Sequence, residues 1–231
     1  MRIADLPDRV WRWLGHAALW LLFGVFGLVI GFVVLPFASL FIRNPLRRQR
    51  FARNSISACF KLFVVCATGM RLFTLNVSGM HHYQAGSGQL ILANHPTLID
   101  VVILISLFPQ VDCVVKDAIT RNPVLRMSVG AANYISNADP ADLLDDCSER
   151  LRSGANLMLF PEGTRTIPGQ PLVFKPGAAE IALRAGAPIL PIVIDCRPKF
   201  LGKHDPWYSI PPVAPTFDIR VLAPVKPEQY V

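Results

Sequence analysis

An uncharged stretch of twenty-six residues, 17–42, constrains this chain more than any other feature of its sequence. Its first part, up to residue 35, spans about 28 Å as a helix, close to the ~30 Å hydrocarbon core of a bilayer. Three nearby tryptophans, Trp11, Trp13 and Trp20, suit a membrane interface. The stretch therefore predicts a membrane-anchoring helix, which Pro36 kinks or ends.

The basic character of the chain belongs to its N-terminal part. Residues 1–99 carry ten Lys or Arg and two acids, or +8, and residues 100–231 carry thirteen and fourteen, or −1, which together give +7. Arginines cluster directly after the apolar stretch, and this pattern places that end on the cytoplasmic side. We therefore expect membrane lipids as partners and no nucleic acid. The expected location is a bacterial inner membrane, with the remaining chain on its cytoplasmic face.

A second apolar stretch follows the arginines. Residues 43–53 are interpreted as a basic linker and residues 56–71 as an amphipathic interfacial helix, because Lys61 and Arg71 interrupt the apolar pattern. Two arrangements fit: one span plus an interfacial helix, which we prefer, or a bent pair that dips into a single leaflet. Residues 1–71 thus form a predicted membrane anchor and residues 72–231 a separate domain.

The domain alternates predicted strands and helices. This alternation predicts an α/β fold, a mixed sheet flanked by helices. A buried strand over residues 89–93 leads into His95, and another over residues 157–160 leads into a turn at 161–164. Active-site residues tend to lie where strands of such a sheet give way to loops.

His95 and Asp100 form the first candidate site. On a continuous helix these residues would not face each other. Pro96 disfavours helical geometry at His95 and suits a first helical position, so we predict a helix from Pro96 with Asp100 about one turn in. His95 can then fold back and donate one ring nitrogen to Asp100, leaving the other as a proton acceptor. A helix cap with a buried histidine is the structural alternative.

The hexapeptide at 160–165, Phe-Pro-Glu-Gly-Thr-Arg, is more specific. Arg165 offers a planar fork of donors that suits phosphate or carboxylate. Glu162 can accept from an acceptor hydroxyl or hold Arg165 in place. Together the two strings indicate attack of a hydroxyl on an acyl group, beside a site for an anionic acceptor.

These motifs resemble those of the glycerolipid acyltransferase superfamily, which includes the 1-acyl-glycerol-3-phosphate and lysophospholipid acyltransferases. The resemblance covers about residues 72–225: a His-x4-Asp block, the Phe-Pro-Glu-Gly-Thr-Arg block and a later apolar strand at 188–194. It implies a membrane-bound O-acyltransferase in which His95 deprotonates the acceptor hydroxyl, Asp100 orients His95, and Glu162 and Arg165 bind the acceptor. The implied donor is acyl-CoA or an acyl carrier protein, as co-substrate, with no cofactor.

Two positions depart from the family pattern. Asn137 stands where members that use glycerol phosphate usually have a phosphate-binding Arg, and Lys175 is the single basic residue before Gly177, where two are common. Both changes weaken the case for a phosphate headgroup. The residues predicted to bind substrate are Asn94, Lys116, Asn137, Glu162, Gly163, Thr164, Arg165 and Lys175.

Other chemistries lack support in the sequence. The five cysteines have no C-x-x-C spacing, so we predict neither a metal site nor a disulfide framework. Motifs of serine hydrolases, P-loop enzymes and dinucleotide-binding oxidoreductases are absent from the sequence. The alternatives that remain are acyl transfer to a lipid without phosphate, and a non-catalytic lipid-binding protein on the same fold.

Overall fold

A computed structural model describes residues 6–122, 125–167 and 169–227 of the chain. The helices are α1 (Leu6–Val29), α2 (Leu35–Phe41), α3 (Pro45–Gly69), α4 (Asp100–Leu107), α5 (Asp117–Thr120), α6 (Arg126–Ala132), α7 (Pro140–Arg152) and α8 (Gly177–Ala185). The strands are β1 (Thr74–Ser78), β2 (Leu90–Ala93), β3 (Asp112–Val115), β4 (Ile135–Ser136), β5 (Leu157–Leu159), β6 (Ile189–Arg197) and β7 (Thr216–Val221).

The strands form one sheet in the order β1-β7-β6-β2-β5-β3-β4. All neighbouring strands are parallel except β6 and β7, which are antiparallel. The mixed sheet predicted from the sequence is therefore confirmed. Parallel neighbours place their carboxyl ends at one edge of the sheet, and β2, β5, β3 and β4 share such an edge.

Helices cover both faces of the sheet. Alternate residues of the central strands point to opposite faces: Leu90 packs with Ile181 of α8, whereas Ile91 belongs to the cluster that includes Ile103 of α4. The larger cluster also takes in α1 and α3, for example Leu19 and Phe63. The N-terminal helices thus lie on the α4 face of the sheet, and α7 and α8 lie on the other.

The N-terminal helix continues beyond Pro36. A π-helical turn, Ile30–Val34, joins α1 to α2, and the N–H of Leu35 donates to the carbonyl of Ile30. This wider turn stands directly before Pro36, which lacks a backbone N–H and crowds the preceding turn, so the helix accommodates the proline and runs on to Phe41. By length and composition, the helix Asp8–Phe41 could cross a membrane, which suggests membrane association.

Two sequence predictions of helix boundaries are wrong. The basic stretch 43–53 is not a linker, because α3 begins at Pro45, with the Asn44 side chain capping it by accepting from the Arg47 N–H at 3.1 Å. The predicted interfacial helix 56–71 is therefore only the later part of a longer helix. The helix after His95 begins at Asp100 and not at Pro96. The division of the chain into an anchor and a domain stays a prediction.

Candidate active site

The two motif turns meet because their strands are parallel neighbours. Leu92 of β2 pairs with Leu159 of β5, so the chain leaves both strands at the same edge of the sheet. Asn94 and His95 follow β2, and Phe160 to Arg165 follow β5. Sheet topology thus joins segments that lie about sixty-five residues apart in the sequence.

His95 and Asp100 form a hydrogen-bonded pair. The distance between His95 Nδ1 and Asp100 Oδ2 is 2.9 Å. The Asp100 side chain is fully buried, whereas 17% of the His95 side chain remains exposed. An ionised Asp100 can only accept, so it assigns the proton to Nδ1 and leaves Nε2 as an acceptor for a substrate proton.

Thr97 holds the other side of the Asp100 carboxylate. Its backbone N–H donates to Oδ2 at 2.7 Å, and its hydroxyl donates to Oδ1 at 2.5 Å. Burial raises the pKa of the Asp100 carboxyl, while the hydrogen bonds from His95 and Thr97 oppose that rise. Asp100 thus has a fixed orientation, and the sequence analysis missed Thr97 although it lies inside the His-x4-Asp string.

The β5 turn clamps the backbone of His95. Glu162 Oε1 accepts from the His95 N–H at 3.0 Å and from the Thr166 hydroxyl at 2.8 Å. The Thr166 N–H donates in turn to the His95 carbonyl at 2.7 Å. The Phe160 ring stacks on the imidazole, with 4.2 Å between ring centroids. The position of His95 is therefore set by the turn after β5 as well as by its own segment.

This geometry changes the interpretation of Glu162. The described structure records His95 and Thr166 as the hydrogen-bond partners of its carboxylate, and it records no contact with Arg165. Of the two roles predicted for Glu162, the hold on Arg165 is therefore wrong, and the contact with an acceptor hydroxyl stays a prediction. Thr166 was also missed by the sequence analysis, although it directly follows the hexapeptide.

Arg165 binds carbonyl oxygens of its own chain. Its Nη1 donates to Leu201 at 3.0 Å and to Gly202 at 2.7 Å, and its Nη2 lies 3.3 Å from the carbonyl of Lys203. The Leu201 carbonyl also accepts from the Leu98 N–H at 3.0 Å. Arg165 thus ties the turn after β5 to residues 201–203, and three of its donor contacts go to protein.

Asn94 links the end of β2 to the backbone of β6. Its Oδ1 accepts from the Ile194 N–H at 2.7 Å, and its Nδ2 donates to the Ile194 carbonyl at 2.8 Å. The side chain amide therefore pairs with the backbone of β6 just beyond the end of β2. Each of its two polar atoms thus has a partner within the protein, and a contact with substrate stays a prediction.

Gly163 and Lys175 lie against each other. Gly163 has a φ of +66°, and a Cβ atom there would lie 2.8 Å from Lys175 Nζ. The backbone N–H of Lys175 donates to the Pro161 carbonyl at 2.8 Å. Glycine is therefore favoured by both its backbone conformation and the close approach of the lysine. Lys175 is exposed and places a cation over the turn, while Thr164 is half-buried within it.

Lys116 and Asn137 lie further away. They follow β3 and β4, and the end of β4 is three strand spacings from the end of β2, or about 14 Å. Asn137 Oδ1 accepts from the N–H of Asp117, the first residue of α5, at 2.9 Å. Both side chains are exposed. They share the edge of the sheet with His95 but make no recorded contact with the two motif turns in the described residues.

No cluster of three or more potential metal ligands occurs among the residues that the structure describes. The side chains that meet at this edge of the sheet are the imidazole of His95, the buried carboxylate of Asp100, the clamp formed by Glu162 and Thr166, and the exposed cation of Lys175.

Comparison with known proteins gives a family match. The model of the Acyltransferase family matches residues 74–195, which include both motif turns. A chloroplastic 1-acyl-sn-glycerol-3-phosphate acyltransferase from Brassica napus is 34% identical over 108 residues, covering 45% of this chain and 31% of that protein. The mouse 1-acyl-sn-glycerol-3-phosphate acyltransferase alpha is 27% identical over 164 residues, covering 67% of this chain and 55% of the mouse protein. The matches thus span about a third to a half of these relatives.

A solved structure shows the same fold. It is the 1-acyl-sn-glycerophosphate acyltransferase of Thermotoga maritima, with a TM-score of 0.70 and 21% sequence identity. The superposition covers 95% of this chain and 89% of that one, so the likeness includes the N-terminal helices as well as the sheet.

Proposed function

Because this chain belongs to the Acyltransferase family, within the glycerolipid acyltransferase superfamily, we propose that it acylates a hydroxyl of a lysophospholipid such as 1-acyl-glycerol-3-phosphate. The observation that carries this proposal is the His95–Asp100 pair, which leaves Nε2 of a partly exposed imidazole as a proton acceptor. The names of the plant and mouse relatives support the choice of acceptor.

The pair performs both proton transfers of the reaction. His95 Nε2 takes the proton of the acceptor hydroxyl as the oxygen attacks the thioester carbonyl. The tetrahedral oxyanion then collapses and expels the thiolate. The imidazolium gives the same proton to this thiolate. Asp100 stabilises the imidazolium in between, because its carboxylate accepts from Nδ1. The acyl group thus moves from the thioester to the acceptor oxygen, and the proton moves from the acceptor hydroxyl to the thiolate, so the step balances without a further reagent.

The donor is proposed to be acyl-CoA or an acyl carrier protein, as co-substrate. Both carry phosphate, and Lys175 places a cation over the catalytic turn. Arg165 can add to that charge, although three of its donor contacts already go to residues 201–203. Lys116 lies further out along the same edge, where it can meet a longer headgroup or a carrier.

We propose that the N-terminal helices hold the enzyme in one leaflet of a bacterial inner membrane, with the domain on the cytoplasmic face. The continuous helix over residues 6–41 is about 54 Å long, nearly twice the hydrocarbon core. Buried residues recur along its whole length, from Arg12 and Leu19 to Leu35 and Ala38. Because this helix packs on the rest of the protein near both of its ends, a perpendicular crossing of the bilayer would require it to leave the protein surface. This packing favours a bent pair of helices in one leaflet.

A second acceptor class has specific support. The guanidinium of Arg165 is directed at backbone carbonyls, and Asn137 brings no charge to the end of β4. Both features suit an acceptor lipid with a hydroxyl and no phosphate.

The test uses the full chain reconstituted in vesicles that contain a lysophospholipid, with acyl-CoA or acylated carrier protein added. Mass spectrometry should detect phosphatidic acid from 1-acyl-glycerol-3-phosphate, and His95→Ala should lack it. A monoacylglycerol in place of the phosphate acceptor tests the second class. If neither acceptor is acylated with either donor, while the protein is folded and bound to vesicles, the proposal is wrong.

A further inference from the structure

The connection between β6 and β7 carries exposed aromatic side chains. Within residues 199–213, hereafter the aromatic loop, Trp207 is 59% exposed and Tyr208 is 65% exposed. Their rings contact each other edge to face, with 5.5 Å between centroids. Exposed large apolar groups that lie together mark interaction surfaces.

The aromatic loop is fixed to the N-terminal helix. The buried guanidinium of Arg12 donates to the carbonyls of Pro211 and Pro212, at 2.8 and 2.6 Å. Trp207 packs edge to face on Trp20, with 6.1 Å between ring centroids. The exposed aromatic rings therefore continue the surface of α1, whose own exposed residues include Trp13 and Leu21.

The charge of the loop is suited to an anionic surface. Lys199, Lys203 and His204 lie in its first part, and Asp205 is its only acid. Asp205 Oδ2 already accepts from the Gly202 N–H at 2.8 Å. The combination of Trp and Tyr with nearby cations is typical of segments at the boundary between bilayer headgroups and chains.

We propose that the aromatic loop is a second membrane contact, in which Trp207 and Tyr208 insert at the headgroup level of an anionic bilayer. This inference rests on the proposed placement of the N-terminal helix in the membrane. It adds a consequence for the site, because Arg165 and the Leu98 N–H both donate to the Leu201 carbonyl in the same loop. The loop therefore joins the bilayer surface to both catalytic turns, so that an acceptor lipid would enter beside it.

Fluorescence quenching by lipids tests the proposal. The chain has four tryptophans, so Trp11→Phe, Trp13→Phe and Trp20→Phe leave Trp207 as the sole tryptophan. The matched control replaces all four and carries Leu183→Trp on α8, an exposed position on the opposite face of the sheet. Both proteins are reconstituted in vesicles of phosphatidylethanolamine and phosphatidylglycerol whose chains are brominated close to the headgroup.

Trp207 should lose fluorescence to the brominated lipid and be protected from acrylamide, whereas the tryptophan at position 183 should show the reverse. Equal behaviour of the two positions would overturn the proposal. Protection of Trp207 that grows with protein density, without quenching by lipid, would also overturn it and indicate contact between copies. If the triple variant does not fold, the unaltered chain and its Leu183→Trp variant, both labelled with fluorotryptophan, give the same comparison by NMR, and Trp207→Phe assigns the Trp207 signal. Quenching does not depend on turnover. A failure of the acyl-transfer assay would therefore not affect the quenching result, and the two proposals can fail separately.

Discussion

The ends of the parallel strands differ in how far their side chains are buried and bonded to one another. After β2 and β5, His95, Asp100 and Glu162 are fixed by hydrogen bonds to one another, to Thr97 and to Thr166. After β3 and β4, Lys116 and Asn137 are exposed. Proton transfer requires donors and acceptors in fixed positions, whereas exposed side chains can still meet a charged headgroup. The comparison suggests that chemistry is set at the centre of this edge and acceptor preference at its periphery.

Removal of the proposed base should have the largest effect. His95→Ala should leave the fold and membrane binding intact and lower kcat by about 10²–10⁴, the usual contribution of a general base. Turnover of the purified variant, with circular dichroism as a control for folding, checks this. Near-normal turnover would show that His95 is not the base. The contrast between a centre that performs the chemistry and a periphery that selects the acceptor would then have no basis.

Asp100→Asn separates charge from geometry. The Thr97 N–H requires an oxygen at the Oδ2 position, so the amide oxygen would stay there and still accept from His95, while its NH2 could donate to the Thr97 hydroxyl. Only stabilisation of the imidazolium is lost. A charged hydrogen bond contributes about 1.5–3 kcal/mol, so kcat should fall about 10- to 100-fold. A variant with wild-type kcat would show that the charge of Asp100 is not used.

The same variant predicts a change in stability of defined sign. Burial raises the pKa of Asp100 in the folded protein above its unfolded value. Asp100 therefore contributes to the free energy of unfolding at a pH below its pKa in the unfolded chain. This contribution is lost as the pH rises through its pKa in the folded protein. Asp100→Asn should therefore gain in melting temperature, relative to wild type, as the pH rises. A difference that is constant with pH would show that Asp100 does not titrate this way.

Part of this centre was predictable from sequence and part was not. The pairing of His95 with Asp100 follows from short-range geometry at Pro96, although the helix begins at Asp100 itself. The partners of Asn94 and Arg165 could not be predicted. They are backbone atoms of Ile194 and of residues 201–203, which come close only through the sheet order and the path of the aromatic loop.

Glu162 tests whether the clamp positions His95 or binds substrate. Glu162→Ala leaves the His95 N–H without its partner, at a cost of about 1–3 kcal/mol, so kcat should fall by about 5- to 150-fold. Glu162→Gln keeps an oxygen that can accept from both His95 and Thr166, so it should restore most of the activity. If Gln is as impaired as Ala, the charge of Glu162 acts on the substrate and the clamp is not its main role.

Arg165→Ala tests a residue that lies between the hydrogen-bonded His95–Asp100 centre and the exposed side chains at the periphery of the edge. It removes contacts to three carbonyls, so the melting temperature should fall together with a several-fold loss in kcat/KM for every acceptor. Melting curves and kinetics with acceptors that carry or lack phosphate provide the measurement. An unchanged melting temperature, with a rise in KM confined to the phosphate acceptor, would instead assign the guanidinium to the headgroup.

The smallest effect is expected at the edge strand. Asn137→Ala removes the bond to the Asp117 N–H, which caps only a four-residue helix, so kcat and KM should change by no more than about twofold. Asn137→Arg is the informative partner. A long cation there covers part of the ~14 Å between the ends of β4 and β2, and a headgroup that extends outward from His95 can meet it. We therefore expect a several-fold lower KM for a phosphate acceptor and no change for monoacylglycerol. If Asn137→Ala is as damaging as Glu162→Ala, side chains at the periphery contribute as much to turnover as those at the centre. The contrast between the two regions would then fail.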